Sequence, residues 1–219
     1  MQIDQTTYSD LSVFNTMDEF SLFGKLDLTR TVGGRAQLFQ LFNQPFSDTG
    51  RIRETQQILA IIRQNEDAWA PSISNGTIMV MERFYETALD KIPSAYDPVS
   101  ALIYKVFHTP DYSLTRYSIG HFDDFIRGMK SIVSLMDKVE CPPALAGLLE
   151  RVKRLLDTGI MNSLGERKAG KKFSASEVVQ YGYYIRNRFK TITLDLIAIY
   201  GKLDAWYSMA MATKKFGLA

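Results

Sequence analysis

Apolar residues recur along this chain every three or four positions and no strict alternation persists, so the pattern predicts helices throughout and no strand. Phe14, Phe20, Leu22 and Phe23 predict a short first helix. Leu38, Leu41 and Phe42 give a second helix its apolar face. Thr31 can cap its start, Gly33-Gly34 gives a permissive first turn, and Pro45 ends it by pushing the preceding residue out of the α region. Asp48 is placed to cap a third helix bearing Ile52, Ile58, Leu59 and Ile62. Ile78, Met81, Phe84, Tyr85 and Leu89 predict another, closed by Ile92-Pro93. The span 94–120 is mixed, with a break at Pro110. Phe122, Phe125, Ile126, Met129, Ile132, Val133 and Met136 then form an amphipathic stripe. Cys141-Pro142-Pro143 turns the chain, and Leu145, Leu148, Leu149, Val152, Leu155 and Leu156 open the next helix.

The last periodic segment is the most regular. Ser174 to Glu177 has the spacing of a capping box. Ile185, Phe189, Ile192, Leu196, Ile199, Leu203, Trp206 and Ala210 follow in alternating steps of four and three. That is a seam with a period of about 3.5 residues, as in long packed helices. An unbroken helix here spans roughly 40 residues, or roughly 60 Å. Gly182 and Gly201 are the positions expected to bend it.

The polar residues of the stretch 26–59 add a family signal. Leu26, Asp27, Thr29, Thr31, Gly34, Leu38, Phe42, Pro45, Asp48, Glu54, Gln56 and Gln57 fall without a gap on a known order: Leu-Asp-x-Thr-x-Thr, Gly, a helix, Pro, an acidic residue and a second helix. Ile3, Asp4, Thr7 and Leu11 match the run that precedes it. The stretch resembles the opening of the core domain of MutS-family DNA mismatch-repair ATPases. Glu82-Arg83, Leu203-Asp204 and Met209-Ala210 are similar to later points of the same domain. The family's arginine two residues after the glycine is Ala36 here, with Arg35 adjacent, and the one before the glutamine pair is Thr55. Contacts made by those arginines are therefore not carried over.

The resemblance implies an all-α fold, a helical core domain with long antiparallel lever helices, similar to MutS domain III. On it, residues 1–110 are the first part of the core. Residues 111–190 are the levers, with a short tip at 157–173 in place of the family's clamp. Residues 191–219 return the long helix into the core. The ATPase domain, with ATP and Mg, is expected beyond residue 219, and the mismatch-binding and connector domains are expected to be lacking if Met1 is the start. The implied partners are DNA backbone, the protein's own ATPase domain and a possible second copy of the chain.

Composition bounds the rest. The 219 residues are 46% apolar, enough for one large domain or two small ones. The net charge of +2 does not itself advertise nucleic-acid binding. A single cysteine, Cys141, excludes an intrachain disulfide and fits a reducing cytoplasm. No run is long and apolar enough to span a membrane, so a cytoplasmic chain without a membrane partner is expected.

Candidate chemistry is sparse. Residues 165–172 nearly spell a phosphate-binding loop, but Lys172 stands where a hydroxyl must hold Mg²⁺ and a helical pattern precedes. Phe84-Tyr85-Glu86 matches the Phe-x-Glu triplet with which the family reads mismatches, yet it lies on an apolar helix face that favours core roles. His108 and His121 have no Cys or carboxylate at ligand spacing, so no metal is expected. No catalytic constellation stands out, and the chain itself is not expected to be an enzyme or to bind a cofactor. The stronger feature is a basic run that includes Arg151, Lys153, Arg154 and Arg188. Within it, Arg167, Lys168, Lys171, Lys172, Arg186 and Lys190 are the candidates for DNA phosphates. Asp4, Thr7, Asp27, Thr29, Thr31, Gly34, Pro45 and Asp48 are the structural signature. The expected function is transmission between ATP state and DNA contact. The competing expectation is a helical protein–protein interaction scaffold that does not touch DNA.

Overall fold

The computed structural model describes residues 13–14, 21–69, 72–168 and 170–218. Among these the fold is all-α, with ten α-helices and no strand. They are α1 (Leu22–Leu26), α2 (Val32–Asn43), α3 (Thr49–Gln64), α4 (Asn75–Glu86) and α5 (Pro98–Phe107), followed by α6 (Thr109–Met136), α7 (Pro143–Leu156), α8 (Gly159–Gly165), α9 (Ala175–Arg188) and α10 (Lys190–Phe216). No described helix is long and apolar enough to cross a membrane. Phe20 and the signature positions Ile3, Asp4, Thr7 and Leu11 lie outside the described residues.

Local chemistry sets most helix starts. The Thr31 hydroxyl accepts the Gly34 N–H at 3.0 Å and opens α2. Asp48 accepts the Arg51 N–H at 2.8 Å and opens α3. Ser174 and Glu177 form a reciprocal capping box on α9, satisfying two N–H groups that the first turn leaves bare.

Three expectations change. Pro110 does not break a helix; it sits in the first turn of α6, where its missing N–H has no partner to lose. The long final helix is not continuous, because α9 ends at Arg188 and α10 begins at Lys190, with Phe189 between them at φ −113° and ψ 10°. The Tyr85 hydroxyl approaches this junction. The Tyr85 hydroxyl donates towards the Ile185 carbonyl at 3.3 Å and sits 2.9 Å from the Thr193 hydroxyl, while the Phe189 N–H reaches that same carbonyl at only 3.4 Å.

Neither glycine acts as the expected hinge. A Cβ on Gly182 would lie 2.4 Å from Thr115 Cγ2, and one on Gly201 would lie 3.1 Å from the backbone of Gly33. Both positions serve close packing.

The chain forms two compact units. The first comprises Met1–Trp69, Ser134–Glu150 and Ile197–Ala219. Its buried cluster of Phe23, Leu38 and Ala205 has Phe14, Leu41, Phe42 and Met209 packed against it. The α10 segment in this unit is buried around most of its circumference, including Tyr200, Leu203, Asp204, Ala205, Trp206 and Ser208. The second unit comprises Ala70–Val133 and Arg151–Leu196. Its core includes Phe84, Ile119, Phe122, Phe125 and Ile126, each worth about 1.5–3 kcal/mol on burial. Phe84 and Tyr85 both meet Phe122 edge-on, with centroids 5.8 and 5.9 Å away.

Candidate functional site

Two of the signature residues, Thr31 and Gly34, meet at a buried carboxylate in the first unit. Asp204, on α10, is wholly buried. Its oxygens accept the Arg30 N–H at 3.0 and 3.1 Å, the Thr31 N–H at 2.9 Å and the Thr31 hydroxyl at 2.7 Å. One turn on, the Ser208 hydroxyl accepts the Leu28 N–H at 2.7 Å and donates to the Leu26 carbonyl at 3.0 Å. The segment Leu26 to Thr31 has no ladder of its own, so α10 satisfies its backbone. Burial pushes the Asp204 pKa up, and the Thr31 and Arg30 donors work against that rise. Arg30 extends the network, donating to the Tyr207 hydroxyl at 2.7 Å with its guanidinium 4.4 Å above the ring.

Gly34 is demanded by this arrangement. A Cβ there would lie 2.1 Å from Asp204 Oδ2, so any side chain would displace the carboxylate. Asp27 holds the turn itself, accepting the Thr29 N–H at 3.1 Å and the Thr29 hydroxyl at 2.6 Å. Arg35 reaches Asp27 at 2.7 Å. Pro45 follows α2, and Glu54 accepts the Ala144 N–H at 2.6 Å in the first turn of α7.

The cationic candidates lie in the second unit and fall into two groups. The Arg167 side chain is largely buried, ion-paired with Glu177 and 4.1 Å above the Phe173 ring. Its guanidinium also donates to the carbonyls of Lys171 and Lys172, each at 3.2 Å. Arg167 therefore organises the loop between α8 and α9. Gly170 completes its turn at φ +74°, in the left-handed region that favours glycine. Lys168, Lys171 and Lys172 are exposed on that loop. Glu177, which caps α9, also anchors Arg167, so one carboxylate couples the helix start to the loop. The loop follows the helix α8, not a strand, so the frame that aims N–H groups at a nucleotide phosphate is not built here.

Arg186 stands roughly 16 Å further along α9. Its guanidinium donates to the Phe84 carbonyl, and to the Thr87 carbonyl at 2.6 Å, satisfying the C-terminal end of α4. Lys190 is exposed, with its ammonium 5.8 Å from the Tyr85 ring centroid. The six sequence candidates therefore do not form one patch. Three ammonium groups share a loop, Arg167 holds that loop from beneath, Arg186 is committed to helix carbonyls, and Lys190 stands apart.

The Phe-x-Glu triplet is likewise spoken for. Phe84 is buried, the Tyr85 hydroxyl bonds at Ile185 and Thr193, and Glu86 pairs with Arg83 at 3.2 Å. One grouping escaped the sequence pattern: Asp90, His108 and Asp111 bring ligand-type atoms within 4.8 Å of one another. His108 and Asp111 have i, i+3 spacing, but Asp90 arrives from a separate segment. These groups also serve one another, with His108 Nδ1 2.9 Å from Asp90 and Asp111 accepting the Asp90 N–H at 3.1 Å. Comparison with known protein families, with curated proteins and with solved structures finds no match.

Proposed function

We propose that this chain is the core-and-lever module of a MutS-like ATPase, and that Lys168, Lys171 and Lys172 place it on DNA backbone without reading bases. The observation that carries the family part is the Asp204 network. The 26–34 stretch and the Leu203-Asp204 pair resemble the family independently and lie far apart in sequence, yet they hydrogen-bond each other within one unit. In this reading ATP and Mg belong to a further domain after α10, and the module relays that domain's state to the DNA contact. The DNA part rests on three exposed ammonium groups held on one loop by Arg167. Arg186 drops out of the phosphate-binding set because its donors are taken by carbonyls.

A salt titration of binding to a random-sequence duplex tests the proposal. Three neutralised phosphates give a log–log slope of about −2.7. Replacing Lys168, Lys171 and Lys172 together by Glu should abolish binding at low salt without changing the circular dichroism. Absence of binding by the unsubstituted chain at low salt would reject the DNA part. The second reading, a helical interaction scaffold, is favoured by a different observation: α5 exposes Val99, Leu102, Ile103, Val106 and Phe107 together.

A further inference from the structure

Helix α5 turns its smaller apolar face inward and its larger one outward. Ala101 and Tyr104 are buried, on the side of the helix that packs on α9. At about 100° per residue, the opposite side carries Val99 at 67% exposure, Leu102 at 56%, Ile103 at 53%, Val106 at 60% and Phe107 at 77%. Single exposed aliphatics are ordinary, but five on one stripe of one helix are not. The spacing of three, one, three and one is that of a packing seam.

We propose that this stripe is the interface with a second copy of the same chain, packed as an antiparallel helix pair about a two-fold axis between Leu102 and Ile103. Four of the five stripe residues form a pattern that reads the same from both ends: Val99, two residues, Leu102-Ile103, two residues, Val106. A two-fold axis at its centre therefore sets Val99 against Val106 of the second copy and Leu102 against its Ile103, so each of these four meets another, with Phe107 at the edge. Such self-complementarity is what an isologous interface requires. The helix dipoles agree with that direction. Asp97 caps the N-terminal end of α5 and accepts the Val99 and Ser100 N–H groups, at 3.1 and 3.0 Å, while Lys105 and His108 stand at the other end. Antiparallel pairing opposes the two helix dipoles, whereas parallel pairing would align them.

The area is adequate for a reversible dimer. Each copy offers on the order of 500 Å² of apolar surface, so a pair buries on the order of 1,000 Å² in all, in the range of weak, transient interfaces. A lipid surface fits less well. A membrane-lying helix carries its apolar stripe between Lys and Arg flanks, whereas Asp97 and Lys105 balance here. This inference does not depend on the DNA reading; it concerns another helix and has another readout.

Sedimentation equilibrium of the full chain over a wide concentration range tests it, alongside Leu102→Lys and Ile103→Glu. Both positions are more than half exposed, so circular dichroism and Tm should be unchanged. The expected result is a reversible dimer whose Kd rises by roughly 30-fold or more in either variant. In a Cys141→Ala background, Ile103→Cys should form an intermolecular disulfide on mild oxidation. Val99→Cys should not, because its symmetry mate is roughly 10 Å away along the axis. A monomer at every concentration, a dimer indifferent to both substitutions, or equal cross-linking through Val99→Cys would overturn the proposal. So would a chain that stays monomeric yet binds phosphatidylcholine–phosphatidylserine vesicles through the same residues.

Discussion

Replacing Asp204 by Ala removes the acceptor that holds the 26–31 segment to α10. Arg30 and Thr31 each lose the partner of a backbone N–H, and Thr31 also loses the partner of its hydroxyl. A buried donor left bare costs about 1–3 kcal/mol. Relief of the burial that raises the Asp204 pKa offsets part of this. The net expectation is a loss of about 3 kcal/mol, or a Tm lower by roughly 6–12 °C for a chain of this size. Asn at the same position keeps one acceptor but turns an amide NH₂ towards the donors, and should lose about 2 kcal/mol. Gly34→Ala attacks the same contact from the other side, since its Cβ would stand 2.1 Å from Asp204 Oδ2. Urea unfolding followed by far-UV circular dichroism gives all three values. In the Asp204→Ala background Oδ2 and Cγ are gone and only the Cβ, at 2.8 Å, still obstructs, so Gly34→Ala should cost at least about 1 kcal/mol less than it does alone. A loss below about 0.5 kcal/mol for Asp204→Ala, within the range of ordinary surface changes, would refute the account. Strict additivity of the two substitutions would refute it as well.

Glu177 predicts a pH dependence. Burial opposes its charge, but the Ser174 backbone and hydroxyl, together with Arg167, outweigh that and hold its pKa below the ordinary 4.5. A depressed folded-state pKa contributes stability above the unfolded value and loses it as pH falls through the folded value. The stability gap between the unsubstituted chain and Glu177→Gln should therefore be present near neutrality and close as pH falls below 4.5, read by urea unfolding across acidic pH. Tyr85→Phe removes the hydroxyl shared by Ile185 and Thr193 and should cost about 1 kcal/mol. In the unsubstituted chain, burial raises the Tyr85 pKa to about 12, so ultraviolet titration should show a late-ionising phenol that Tyr85→Phe removes.

Much of the helical layout was legible in the sequence because its determinants are local. Thr31, Asp48 and the Ser174–Glu177 box act within one turn, and each caps the helix that its spacing predicted. Pro110 was misleading for a local reason: a proline in a first turn and a proline that ends a helix look alike without their neighbours. The cationic candidates were legible as charges but not as a site. Arg167 and Lys168 stand side by side in the chain, yet one guanidinium is buried under a loop and the neighbouring ammonium is exposed on it.

The α5 stripe shows the same limit from the other direction. Its period predicts an apolar face but not which side the second unit covers, and here the smaller side was chosen. By itself, then, the sequence determined the all-helical class, the helix starts and the polar signature, because hydrophobic period and capping are properties of neighbouring residues. Only the tertiary structure decided what those residues touch. Asp204 finds Thr31 from 173 residues away, and the Tyr85 hydroxyl finds the Ile185 carbonyl 100 residues on. Such contacts depend on which buried donors and acceptors the packing brings face to face, and a period along the chain carries no record of that.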